Sequence, residues 1–169
     1  MKGVEKKEIT MTEYSDTELY RQSFHSALCD GTVYATEQGI VKLELCTFCD
    51  SERKNALTEK CCRELSEYFA GQRQTFDLPL ILRGTPFSLR VWEALKTVPY
   101  GSTVSYKEIA AAVGSPKACR AVGGANHANP LPILIPCHRV IAANGKPGGY
   151  AYPIELKEKL LALERRYKI

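Results

Sequence analysis

The chain has 169 residues, 44% hydrophobic and 25% charged, with 12 glycines, 9 prolines and a net charge of +4. This composition is globular, excludes a collagenous or wholly disordered chain, and suffices for the core of one or two small domains. No apolar run approaches the roughly 20 residues of a membrane span, and the first residues lack the apolar core of a signal peptide, so a cytoplasmic location is expected (nuclear in a eukaryote).

Residues 1–20 read as a polar lead-in. Residues 23–45 alternate Val, Tyr, Ile and Leu with the turn pairs Asp30-Gly31 and Gln38-Gly39, which predicts a three-stranded antiparallel meander. Leu57, Cys61, Leu65 and Phe69 form one helical stripe over 57–70, with Gly71 as its stop. Residues 74–82 are extended. A helix is predicted over 87–98, capped by Thr85, with Val91, Trp92, Leu95 and Val98 inward. A short helix follows over 105–113, burying Ile109, Ala110 and Val113. Gly114 stands at its left-handed C-terminal position.

Ser115 and Pro116 read as the cap and first residue of a further helix, 116–126. The two short helices make a helix-turn-helix. The prolines of 129–137 forbid helix and predict a constrained extended segment. Cys137 to Ile141 reads as a short strand, Asn144-Gly145 as a turn, and 153–166 as a final helix packed through Leu156, Leu160, Leu161 and Leu163. The fold class is α/β (α+β). Residues 1–83 form a small β-meander with a helix, and residues 84–169 a mainly helical domain with a short active-site strand.

Charge is uneven. Residues 1–100 hold 13 Lys/Arg against 15 Asp/Glu, while residues 101–169 hold 10 against 4. The basic half suits a polyanion. Seven cysteines are an odd count for a secreted framework, so reduced thiols are expected. Cys46-x-x-Cys49, with His25 and Cys29 nearby, has zinc-ligand spacing but supplies half a site, so no metal and no cofactor is expected. Cys61-Cys62 reads as one core and one surface thiol, and Cys119 as core.

The sharpest feature is Pro136-Cys137-His138-Arg139-Val140. Prolines 132 and 136 frame an apolar run that fixes the thiol. A thiol near pKa 8.5 needs a base or a positive field to become a nucleophile, and His138 and Arg139 offer both. On residues alone, a buried core cysteine is an equal reading.

The stretch from Arg120 through Asn129 to Val140 resembles the O6-alkylguanine-DNA alkyltransferase family, whose active-site motif is Pro-Cys-His-Arg-Val. The resemblance extends through Gly84–Leu95, Pro99–Tyr106, Gly149-Tyr150 and Leu160–Glu164, roughly residues 84–164. It implies direct, irreversible transfer of an alkyl group from guanine O6 to the protein's own cysteine, after the nucleotide is flipped out of the duplex.

By that resemblance Cys137 is the acceptor, His138 the base through a bound water, and Glu164 the carboxylate that polarises His138. Asn129 pins the preceding turn. Tyr106, Pro132, Val140, Gly148, Tyr150 and Ala151 surround the base. Many relatives carry serine where Ala151 stands, but a backbone donor survives that change. Arg120 fills the gap left in the base stack. Ala121, Gly123, Gly124 and Ala125 keep the helix face small against the minor groove. From the residues themselves, Lys107, Lys117 and Arg139 are candidate phosphate contacts, with a solvated surface charge as the alternative reading of each, and Ser102 and Thr103 could add neutral phosphate bonds. The implied partner is double-stranded DNA bearing O6-alkylguanine, met by a monomer without a membrane. The competing readings are a non-catalytic sensor of alkylguanine DNA and a cysteine hydrolase unrelated to DNA.

Overall fold

The computed structural model describes residues 14, 15 and 17–169. Most of the polar lead-in expected over 1–20 lies outside the described residues. Three strands open the fold: β1 (Tyr20–Phe24), β2 (Gly31–Ala35) and β3 (Ile40–Leu45). They pair antiparallel in the order β1-β2-β3, the expected meander. Gly31 is not in the turn. It opens β2 opposite Phe24 and Leu45, where a Cβ would lie 2.5 Å from the Phe24 ring and from the Glu44 carbonyl oxygen. The first connection therefore spans residues 25–30, and the glycine serves close approach rather than turning.

Both sheet edges are covered. Arg21 exchanges two backbone hydrogen bonds with Arg53 on the β1 side. On the β3 side, Ile40 N–H donates to Pro79 O, Ile81 N–H donates to Ile40 O, and Leu43 N–H donates to Pro130 O. The last of these ties the sheet to the turn that precedes Cys137.

Helix α1 (Ala56–Phe69) begins with a capping box between Asn55 and Thr58. It buries Cys61, Leu65 and Tyr68 in the core. Helix α2 (Pro86–Lys96) starts on the Thr85 cap with proline in its first turn, as expected. Trp92 is buried, and its indole N–H donates to Ala125 O at 2.9 Å. Among the described residues no helix is long and apolar enough to cross a membrane.

Strand β4 (Val104–Ser105) leads directly into α3 (Tyr106–Ala112). Ser105 does two jobs. It pairs with Ile141 of β5 (Val140–Ile141), and its hydroxyl caps α3 by accepting from Glu108 N–H at 3.1 Å. Tyr106 is thereby fixed beside the segment that follows Cys137. Gly114 takes φ +77° after α3, as its position predicts.

Helix α4 (Cys119–His127) starts three residues later than expected. Ser115 and Pro116 do not open it. Ala118 N–H donates to Ser115 O, closing a turn over 115–118, and the helix has no side-chain cap. The expected active-site strand is also corrected. Cys137–Arg139 is one turn of 3-10 helix, and the strand is limited to Val140–Ile141. Ile133, at φ +72°, makes a tight turn between Pro132 and Ile135, so the chain doubles back before the cysteine rather than running straight. Helix α5 (Ile154–Tyr167) closes the fold.

Candidate active site

Asn129 holds the turn that delivers Cys137. Its side-chain amide donates to Ile135 O at 2.8 Å, and its Oδ1 accepts from Leu131 N–H at 2.9 Å. Ile135 N–H in turn donates to Leu131 O, so the loop is cross-braced. This is the pinning expected of it.

The 3-10 turn then turns His138 and Arg139 inward. His138 is fully buried, and its Nε2 lies 2.7 Å from Glu164 Oε1. Glu164, fully buried on α5, also accepts from Tyr68 O–H at 2.8 Å and Gly101 N–H at 3.1 Å. Arg139 closes on it with two bonds, Nε to Oε2 and Nη2 to Oε1, each 2.9 Å. Such a bidentate pair is strong and directional. Its remaining Nη1 donates to Val98 O at 2.7 Å. Arg139 is 7% exposed, so the expected phosphate contact is corrected: its charge is spent on Glu164.

Burial opposes ionisation of Glu164, but the His138 and Arg139 hydrogen bonds and the guanidinium charge hold its carboxyl well below the usual range. Burial pushes His138 down, against the pull of Glu164, so the imidazole is neutral at pH 7. With a carboxylate at Nε2, the proton sits there, and Nδ1 keeps a lone pair. Nδ1 is buried without a hydrogen-bond partner among the described residues. It is the free basic atom of the site.

Cys137 is 5% exposed and lines a cavity of about 370 Å³. Burial pushes its thiol up. Asn129, the Lys157 charge and backbone N–H groups of the turn pull the other way. The same cavity is lined by Tyr106, Arg120, Gly123, Tyr150 and Ala151, which brings the expected base and DNA residues to one wall. Gly148 meets it through Tyr106, whose hydroxyl lies 3.0 Å from where a Cβ would stand. Pro132 and Val140 are buried and do not line the cavity.

On the outer face, Arg120, Ala121 and Gly124 of α4 are exposed, as are Lys117, Lys107 and Thr103. Ser102 accepts from Lys168 Nζ at 3.1 Å. Cys119 is not core: it is half-buried and lines the cavity, as do Asn126 and His127. In the N-terminal half of the chain, Cys49 contacts Ser23 Oγ at 3.2 Å and His25 Nδ1 lies 3.2 Å from Asp30.

The sequence reading missed Lys157. It is fully buried, and its Nζ donates to Val140 O at 2.6 Å and Gly149 O at 3.2 Å. Burial lowers its pKa to about 8, against the pull of Cys137. Its signal was present: Lys157 and Glu164 interrupt the apolar stripe of Leu156, Leu160 and Leu161 at helical spacing.

Residues 86–166 match the family described as "6-O-methylguanine DNA methyltransferase, DNA binding domain", and residues 19–82 match its "ribonuclease-like domain". The crystal structure of O6-methylguanine methyltransferase from Mycobacterium tuberculosis is 38% identical, with a TM-score of 0.81 over 89% of this chain and 95% of that one. The chain belongs to the 6-O-methylguanine DNA methyltransferase family. A further methyltransferase structure, "Mycobacterium tuberculosis OGT in complex with DNA", is 40% identical with a TM-score of 0.79, covering 87% of this chain and 93% of that one. The constitutive methylated-DNA–protein-cysteine methyltransferase of Bacillus subtilis is 59% identical over 104 residues. That alignment spans 61% of this chain and 63% of the relative, just under two thirds of the relative's length.

Proposed function

We propose that this protein repairs DNA by moving an alkyl group from O6 of guanine onto Cys137, once per molecule. The observation that carries the reading is a thiol on a cavity wall, on the same 3-10 turn as a neutral His138 that is locked to an ionised Glu164. The Cys137 proton passes to His138 Nδ1 through a water, and Glu164 stabilises the imidazolium that forms. The thiolate attacks the alkyl carbon, the S–C bond forms, and the C–O6 bond breaks. Guanine leaves as an anion. The Tyr106 hydroxyl, at the cavity, is the donor placed to meet that charge. The thioether is stable, and the mechanism has no step that regenerates the thiol.

DNA is the partner, met through the minor groove by the small face of α4, with Arg120 occupying the stack and Lys117, Lys107 and Thr103 at phosphates. The family spans 19–82 and 86–166 support a division into two domains near residue 84. The intact cysteine disfavours a non-catalytic sensor.

The test is incubation with duplex DNA carrying radiolabelled O6-methylguanine. Label on protein, mapped to Cys137 by peptide mass spectrometry, is expected. Label left on DNA would overturn transfer, label on another cysteine would overturn the acceptor, and a released small molecule would make the protein a hydrolase.

A further inference from the structure

The Gly149 carbonyl accepts from both sides. From the cavity side, Tyr106 O–H approaches it at a long 3.4 Å. From inside, the Lys157 ammonium reaches it at 3.2 Å while holding Val140 O at 2.6 Å. Tyr150, the next residue, places its ring 5.8 Å from the same ammonium. Val140 N–H bonds back to Cys137 O. Lys157 thus joins the loop over the cavity to the strand leaving the cysteine, and Tyr106 joins that loop to α3.

We propose that Lys157 is a positioning residue for the base pocket. Its ammonium keeps the loop around Gly149 seated against the Val140 strand when the Tyr106 hydroxyl leaves Gly149 for the bound base. The inference rests on the alkyl-transfer reading for its ligand, an alkylated purine, but the tie itself is independent of that reading. The charge suits the place. A neutral donor could bridge two carbonyls, but an ammonium bonds each more strongly and also faces the Tyr150 ring. Of the two ties on Gly149, the neutral tyrosine contact is the longer, and it is the one at the cavity wall where a ligand competes.

The experiment compares the unsubstituted protein with Lys157→Met, Tyr106→Phe and the double variant. Hydrogen exchange is followed at the amides of residues 148–151 and, as an internal standard, in β1–β3. Losing one charge-assisted tie is expected to speed loop exchange about 10-fold in Lys157→Met. The double variant should exceed the product of the singles, because each tie partly compensates for loss of the other. Sheet amides should not change. Single-turnover reaction with free O6-benzylguanine gives the second readout. Lys157→Met should raise the half-saturating concentration about 10-fold, a larger change than in the limiting rate, which loses the Lys157 charge near the thiol. Unchanged loop exchange, or exchange faster throughout the chain, would overturn the inference. A loss confined to the limiting rate would overturn it as well. If the unsubstituted protein transfers nothing, the alkyl-transfer reading falls and the exchange comparison alone decides the role of Lys157.

Discussion

Tyr68, on the first helix, donates its hydroxyl to Oε1 of Glu164, the same oxygen that His138 Nε2 approaches, so a residue from the β-rich half of the chain helps hold the His138–Glu164 pair of the other half. Both side chains are fully buried. Tyr68 also packs edge-on against Tyr100 and beside Phe76, which carries the contact across the seam between the halves. Tyr68→Phe is expected to cost about 1.5–3 kcal/mol in stability, the range for a hydrogen bond to a charged group. Glu164 keeps its other donors, so the transfer rate should change by less than about threefold. Urea unfolding and single-turnover kinetics on the same sample check both parts. A rate loss of two orders with little loss of stability would place Tyr68 in the relay itself.

Removing the carboxylate charge should do the reverse in kinetics. Glu164→Gln leaves His138 without its anion and should slow transfer by about 10²–10⁴-fold, as for loss of general-base catalysis. His138→Gln should fall in the same range. Glu164→Gln also leaves Arg139 buried without a counter-charge and should destabilise by about 3–5 kcal/mol. Rates must therefore be taken at a temperature where circular dichroism shows the variant folded. Unchanged rates in both variants would mean that Cys137 is activated another way.

Arg120 separates DNA handling from chemistry. It is exposed at the start of α4 and borders the cavity. Flipping a base costs a few kcal/mol of stacking, and a long cation in the gap offsets part of that cost. Arg120→Ala should cripple transfer from duplex DNA and leave reaction with free O6-benzylguanine much less affected. Lys117→Ala should weaken duplex binding modestly and flatten its salt dependence by about one ion. The decisive measurement is the pair of second-order rate constants for Arg120→Ala, one on duplex and one on free base. Equal losses would assign Arg120 to the fold or pocket instead.

Acid should unfold the protein in two stages. His138 is held below its unfolded value of about 6.5, so the unfolded chain binds its proton first, and stability falls as pH drops below about 6.5. Glu164 is held below its unfolded value of about 4.3, so its contribution is complete above that pH and is lost as pH falls further. Urea midpoints between pH 8 and pH 3 test this. His138→Gln should flatten the upper stage and shrink, without abolishing, the lower one, because Arg139 still holds the Glu164 carboxylate.

The sequence showed where the elements lie more readily than how the cysteine is presented. Periodicity located the meander, α1, α2 and α5, because each carries a one-sided apolar pattern. It misplaced the start of α4, because Ser115 and Pro116 look like a cap and first turn, while the chain uses them in a separate turn. It read Cys137–Ile141 as strand, because neither the left-handed Ile133 nor the 3-10 turn has a local signature when every residue around them is apolar or proline. From the sequence, Arg139 reads as a phosphate contact and as a charge beside Cys137. Its true partner lies 25 residues away on α5, a contact that tertiary packing creates and pattern cannot show. Asn129 was legible because its work is local.

Three strands usually leave two rows of unpaired N–H and C=O groups, and such rows invite other chains. Here Arg53 occupies one side, while Pro79, Ile81 and Pro130 occupy the other. That closure bears on abundance. On the proposed single-use transfer, such a protein can mend only as many lesions as there are copies of it, so its capacity is its concentration. A sheet with covered margins lets that concentration rise without strand-to-strand self-association.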